Sequence, residues 1–242
     1  MLPRELRHRL KVAVAPLRVT IPQGPLQGFK WSLATGLSFV RGTYEPRTAE
    51  ALTTLTSPGA VVYDVGAHVG YFTAVAARAA GPEGRVVAFE PRPLNRTLLD
   101  LHLKWNGLER VQVVPSAVGA EAGPGRFRDD RGSGTGFLTA EDRGMEVEVV
   151  TLDGMVDDGL PAPDVVKVDV EGGEAAVLQG ASGILETRRP VLVLATHGQG
   201  PHAASLRTLD EKGYQWRELL TRSDLPGAEI VAWPAEAPES PE

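Results

Sequence analysis

From residue 60 onward, short β-branched runs alternate with stretches whose apolar residues recur at helical spacing. Ala60–Asp64, Arg85–Glu90 and Val111–Val114 read as strands. Tyr71–Ala80 and Leu94–Trp105 read as the helices between them, the latter on the spacing of Leu94, Leu98, Leu101 and Trp105. Further on, Asp164–Val170 and Val191–Thr196 are apolar enough to be buried strands, with a helix over Glu174–Thr187 between them. A helical stretch at Leu206–Lys212 leads to Tyr214–Leu220 and Ala228–Trp233, a closing antiparallel pair. Strands alternating with helices of this length build βαβ units, whose crossovers are right-handed. The expectation is an α/β fold, a doubly wound and mostly parallel sheet with a C-terminal antiparallel strand pair.

The flanks and the middle depart from that rhythm. Residues 1–57 read as an N-terminal extension: a basic helix, a small hairpin around Phe29–Leu33, and a helix from Pro46 to Leu55 closed by Ser57-Pro58-Gly59. The main domain then runs over 58–233, and the Pro- and Glu-rich stretch 234–242 is expected to be a disordered tail. Ala120–Gly144 carries Gly123-Pro124-Gly125 and Arg131-Gly132-Ser133-Gly134-Thr135-Gly136 and reads as a long loop before the half-exposed strand Glu146–Val150. Its Arg131–Gly136 part is either a hinged lid over a site or a plain solvent loop.

Composition narrows the classes. The chain has 242 residues, 42% hydrophobic and 23% charged, which suits one sizeable core. With 25 Lys+Arg against 31 Asp+Glu the net charge is −6, which argues against a nucleic-acid partner held by a broad basic field. No Cys is present, which removes disulfides, thiolate catalysis and Cys-ligated zinc; a reducing, cytoplasmic location is the expectation. No apolar run approaches the roughly 18–20 residues of a membrane span. Arg4, Arg7, His8, Arg9, Lys11 and Arg18 make the N-terminus basic, read as a solvated face, with weak contact with an anionic membrane surface as the second reading.

The chemistry gathers at strand ends. Val61-Val62-Tyr63-Asp64-Val65-Gly66-Ala67-His68-Val69-Gly70 is a strand that ends in a carboxylate and turns through glycines into a helix. Ligands of open α/β sheets bind beyond such ends. The spacing is G-x-x-x-G, lacking the third glycine that wraps a pyrophosphate, and Asp64 would repel a diphosphate while welcoming a cation. One βα unit later, Glu90 in Phe89-Glu90-Pro91 is placed to accept hydrogen bonds from both hydroxyls of a ribose. The small residues of Ser116-Ala117-Val118-Gly119 leave room for a flat base after the third strand.

Val166-Lys167-Val168-Asp169-Val170-Glu171-Gly172 emerges with two acids. Asp169 is expected at the carboxyl edge, where it would orient an acceptor hydroxyl, take its proton, or hold a cofactor amino group. Glu171 either shares that work or caps the following helix. Lys167, inside the strand, is expected to pair with a neighbouring acid. His197 follows the next apolar strand, and its pKa near 6.5 makes it a candidate proton acceptor. His68 reads as a packing or polar contact within the glycine turn. Asp169 could ligate magnesium, but no second and third ligand with convincing spacing accompanies it, so no metal site is assigned and metal dependence stays open.

A nucleoside without phosphates fits these signals, and S-adenosylmethionine is one. Through the segments just quoted, together with Thr151-Leu152-Asp153, the chain resembles the FkbM-type family of class I S-adenosylmethionine-dependent methyltransferases from about Ala60 to His197. The resemblance implies a Rossmann-like methyltransferase fold, with Asp64, Gly66, Ala67 and Gly70 at the methionine part of the cofactor. It likewise implies Glu90 and Pro91 at the ribose, Ala117 and Val118 against the adenine, and Asp169, Glu171 and His197 at the reacting end. In that family the His197 strand commonly ends Glu-x-His; here Ala195 stands in the Glu position. The implied reaction is methylation of a hydroxyl on a sugar, glycan or natural-product acceptor. Rival readings are a nicotinamide-dependent oxidoreductase, disfavoured by the missing glycine, and a non-catalytic nucleoside-binding protein.

Overall fold

The structure, a computed structural model, describes residues 12–128, 136–139, 144–221 and 227–236. An antiparallel pair, β1 (Arg18–Thr20) and β2 (Lys30–Ser32), is followed by helices α1 (Leu37–Arg41) and α2 (Pro46–Leu55). Then β3 (Val61–Val65), α3 (Tyr71–Ala80), β4 (Arg85–Phe89), α4 (Pro93–Trp105) and β5 (Gln112–Val114) alternate. Four short strands follow: β6 (Ala117–Val118), β7 (Gly123–Arg128), β8 (Phe137–Thr139) and β9 (Met145–Val150). After them come α5 (Leu152–Asp157), β10 (Val165–Val168), α6 (Glu174–Gln179) and α7 (Ser182–Thr187). The chain closes with β11 (Val191–Ala195), α8 (Gln199–Glu211), β12 (Tyr214–Thr221) and β13 (Ala228–Pro234).

The central sheet runs β12-β13-β11-β10-β3-β4-β5. Strands β11, β10, β3, β4 and β5 are parallel, and β13 lies antiparallel to both β11 and β12. Strand order reverses between β3 and β10, which makes their shared carboxyl edge the natural place for a ligand. Period-two alternation sorts the core onto both faces. Tyr63, Val65, Val87, Phe89, Val166 and Val168 pack with Val177, Leu178 and Leu185 of α6 and α7. Val62, Val86 and Val165 pack on the other side with Ala74 and Val75 of α3 and Leu98 of α4.

The N-terminal segment belongs to that second cluster. Ile21, Leu26, Trp31 and Leu52 are fully buried in it. Trp31 stacks on His102 of α4 with ring centroids 3.7 Å apart. His102 Nδ1 lies 2.8 Å from the Val69 carbonyl, and its Nε2 accepts the Ser32 amide at 3.1 Å, so the ring is held neutral between them. Burial pulls the pKa of His102 down to about 4.

Several elements differ from expectation, among them α8, which begins at Gln199 instead of Leu206. Ala120–Gly144 is not simply a loop, because β7, β8 and β9 join β6 in a four-stranded sheet of order β6-β9-β7-β8. Gly125 is a strand residue here: a Cβ on it would fall 2.5 Å from Val149 of β9. Pro124 lies where β7 extends beyond its pairing with β8, so its missing N–H breaks no ladder on that side. The helix expected over 174–187 is two helices split at Gly180-Ala181, the second capped by Asp153, which accepts the amides of Gly183 and Ile184 at 2.8 and 2.9 Å. Among the described residues no helix is long and apolar enough to cross a membrane. The basic residues before Val12, Arg131–Thr135 of the candidate lid and the tail beyond Glu236 lie outside the described residues.

Candidate functional site

A cavity of about 310 Å³ opens at the carboxyl edge of β3, β4 and β10, under the cover of β7 and β8. The turn after β3 is shaped by contact. Gly66 adopts φ +81°, and a Cβ there would lie 1.9 Å from the Asp169 carbonyl oxygen, so the turn is pressed against the tip of β10. The amides of Gly66 and Ala67 both donate to the Phe89 carbonyl. His68 sits in left-handed backbone (φ 52°) and donates its amide to Glu90 Oε2 at 2.8 Å.

Glu90 is buried, with its other oxygen accepting the Arg92 amide at 2.8 Å. Burial outweighs these bonds and that of Asn95 and pushes its pKa up to about 7. Pro91, Ala117 and Val118 line the cavity beside it, facing Phe127 and Leu138 of the smaller sheet. This end is therefore an apolar slot with one carboxylate at its rim, the pattern expected for a base and a ribose.

The other end is acidic. Asp169, Glu171 and His197 line it, with His197 Nε2 3.8 Å from Asp169 Oδ1 and from Glu171 Oε2. His197 Nδ1 lies 2.9 Å from Oε1 of Glu174, which is fully buried and also accepts the Gly172 amide. Burial opposes charge on His197, yet the Glu174 bond and the charges of Asp169 and Glu171 hold its pKa above the usual histidine value. Glu171 has φ 57°, a left-handed conformation that stores strain beside the cavity. The helix that starts at Glu174 has no side-chain cap hydrogen bond, so Glu171 does not cap it, and the Gly172 amide just ahead of it donates to Glu174. Opposite Ala195 on the antiparallel ladder stands Glu229, so the fold brings a buried carboxylate to that level from β13.

Three of the expected cofactor residues lie behind the wall. Asp64 is fully buried and does not line the cavity. In the parallel register it faces Lys167, so the two side chains share one face of the sheet and pair at 3.3 Å, while Thr73 donates to Asp64 Oδ2 at 2.6 Å. Lys167 also reaches Asp169 at 3.6 Å, which meets the expectation of an acidic partner. Burial works against its charge, but the carboxylates of Asp64, Asp169 and Glu45 raise its pKa. Gly70 serves packing: a Cβ would fall 2.2 Å from Leu99 of α4. Ala67 packs with Ala88, Leu99 and Leu103.

The fold also supplies what the sequence spacing did not. Among the described residues, Asp169, Glu171 and His197 offer ligand atoms within 4.8 Å of one another, a set that could hold a divalent ion and that an imidazolium at His197 would equally balance. Tyr44 and Glu45, from the segment ahead of the main domain, line the acidic end. Their one sequence signal is that Glu, a poor N-cap, precedes Pro46 at a helix start. Phe127 and Leu138 went unread because their segment looked like a loop.

Residues 64–216 match the methyltransferase FkbM domain family. The chain is similar to hexuronic acid methyltransferase AglP of Haloferax volcanii, 30% identical over 146 residues, 58% of each chain. It is also similar to methyltransferase sdnD of Sordaria araneosa, 28% identical over 189 residues, 63% of this chain and 73% of that one. The matched part thus spans 58% of the AglP length. Methyltransferase FkbM of Methylobacillus flagellatus KT shares the fold, with a TM-score of 0.53 at 18% identity over 81% of this chain and 53% of its own.

Proposed function

Since the chain belongs to the FkbM methyltransferase family, we propose that it is an S-adenosylmethionine-dependent methyltransferase acting on a hydroxyl of a sugar or related polyhydroxylated acceptor. The observation that carries this reading is the division of the cavity into an apolar slot rimmed by Glu90 and an end lined by Glu45, Asp169 and Glu171. A phosphate-free adenosine compound with a cationic end suits both halves, whereas a dinucleotide diphosphate would meet carboxylates. The name of the Haloferax relative supports a sugar acceptor.

When bound, S-adenosylmethionine supplies a methyl group on a sulfonium, activated for displacement. The protein's own work is then placement and proton handling. Ala117, Val118, Phe127 and Leu138 would hold the base, and Glu90 the ribose hydroxyls. Asp169 would orient the acceptor hydroxyl. His197, fixed by Glu174, would receive its proton through Nε2. Alignment of this kind is worth about 7–11 kcal/mol of barrier, against roughly 10²–10⁴-fold from the base.

The test is calorimetric titration of the purified chain with S-adenosylhomocysteine and with NADH, followed by labelled-methyl transfer to a panel of glycosides. Heat with the first ligand alone, and label appearing in a glycoside ether, are the expected results. Heat with NADH alone would transfer the chain to the oxidoreductase reading.

A further inference from the structure

The segment before the family domain contributes a residue that the reading above leaves without a role. Pro46 opens α2, and Glu45 sits at its N-cap with φ 36° and ψ 66°, left-handed backbone that is strained for a non-glycine residue. Its side chain makes no cap hydrogen bond. The carboxylate faces the acidic end of the cavity instead, with Oε2 buried and without a hydrogen-bond partner among the described residues. Helix α2 is anchored through buried Thr48, Ala49 and Leu52, and Thr48 donates to Glu229 at 2.6 Å, so the strained residue is held rigidly. A strained, uncapped, inward-facing carboxylate on a fixed helix is the signature of a binding group rather than of a folding element.

The charges around it say what it binds. Asp169 and Glu229 add negative charge, Tyr44 donates a hydrogen bond to the carboxylate, and the positive charge acting on it is that of Lys167. Lys167 is already shared between Asp64 and Asp169. Asp64, the acid that the sequence places at a ligand's positive end, is spent behind the wall. With base and ribose at the Glu90 end and the acceptor hydroxyl at Asp169 and His197, the Glu45 side of the acidic end is left for the amino-acid part of the cofactor. We propose that Glu45 anchors the ammonium group of the methionyl end of S-adenosylmethionine, so that the segment preceding the family domain completes the cofactor site. This inference rests on the assignment of the cavity to that cofactor.

A second consequence follows from protonation. Burial, then the charge of Asp169, pushes Glu45 up to about 7. An arriving ammonium favours the carboxylate, so binding near pH 7 releases protons from Glu45 into buffer. Tyr44, Asp169, Glu171, Lys167, His197, Glu229 and His68 are the other titratable groups around this end, and a Glu45 variant separates its share from theirs.

The experiment is isothermal titration of the full chain with S-adenosylhomocysteine and with 5′-methylthioadenosine, which lacks the amino-acid end, in buffers of differing ionisation enthalpy. Glu45→Gln is expected to weaken S-adenosylhomocysteine at least 10-fold, leave 5′-methylthioadenosine within 2-fold, and reduce proton release. Glu45→Gly relieves the left-handed strain, so it should melt no lower than wild type while showing the same selective loss. Equal loss for both ligands, or no loss for either, would overturn the role of Glu45 and leave the cofactor assignment standing. Failure of wild type to bind either ligand would remove the assignment itself.

Discussion

The buried pair behind the cavity makes a demand on stability that can be worked from its geometry. Asp64 and Lys167 face each other in register on neighbouring parallel strands, 3.3 Å apart and both buried. At an effective dielectric near 20, their attraction is about 5 kcal/mol. Asp64→Asn keeps the shape and an acceptor for Thr73 but removes the charge, leaving Lys167 with Asp169 at 3.6 Å. Breaking one side of such a pair costs about 3–5 kcal/mol, and the surviving partner puts this case at the lower end. Urea unfolding followed by fluorescence reads the loss directly. The double replacement Asp64→Leu with Lys167→Met removes both charges together and should recover most of it, since well-packed apolar substitutes for buried pairs are often neutral or better. Affinity for S-adenosylhomocysteine should change far less than stability in either protein that remains folded. If Asp64→Asn were within 1 kcal/mol of wild type while binding collapsed, Asp64 would be a ligand contact and the placement argued above would be wrong.

Other expectations follow from the same structure. His102 has a folded pKa of about 4 against 6.5 for a free histidine, so its contribution is full above pH 6.5 and is lost as pH falls toward 4; the difference is worth about 3 kcal/mol. Urea midpoints between pH 7.5 and 4.5 should therefore fall more steeply for wild type than for His102→Gln, and parallel curves would refute the neutral-ring account. Trp31→Ala removes a fully buried ring stacked on His102 and should cost about 3–5 kcal/mol in the same assay. Because the pKa of His197 is raised, a proton-accepting role requires activity to climb with pH above 6.5. His197→Asn should lower kcat and abolish that limb with KM for the cofactor little changed; a profile identical to wild type would dismiss His197 as the base.

How much of this was written in the sequence differs by element. The central strands were legible because both of their faces are covered, which leaves Val- and Leu-rich runs, broken in β3 and β10 by the paired Asp64 and Lys167, that a half-exposed strand would not show. Glu90, Asp169, Glu171 and His197 were legible for a related reason: each follows such a run, and parallel strands deliver their ends to one edge. Asp64 obeyed the same rule and still lay off the cavity wall. It is a residue short of the strand end, and the alternation turns it toward α3, a distinction that a linear pattern blurs by one position. The smaller sheet was hidden because Gly123, Pro124 and Gly125 carry turn chemistry, while their place in β7 is set by Val149 across the ladder. Tyr44 and Glu45 were hidden because they reach the cavity only through tertiary packing, which no local periodicity encodes.

The stack of Trp31 on His102 also bears on how the chain can be handled. A family boundary at Asp64, inside β3, suggests trimming the sixty residues ahead of that strand to obtain a minimal catalytic fragment. Such a fragment would bare the floor formed by Val62, Val75, Val86 and Leu98 to solvent, an oily expanse of the kind that drives precipitation. Chimaeras that exchange this leading portion between relatives will stay soluble only when the incoming indole, or its equivalent, finds a matching imidazole on the recipient.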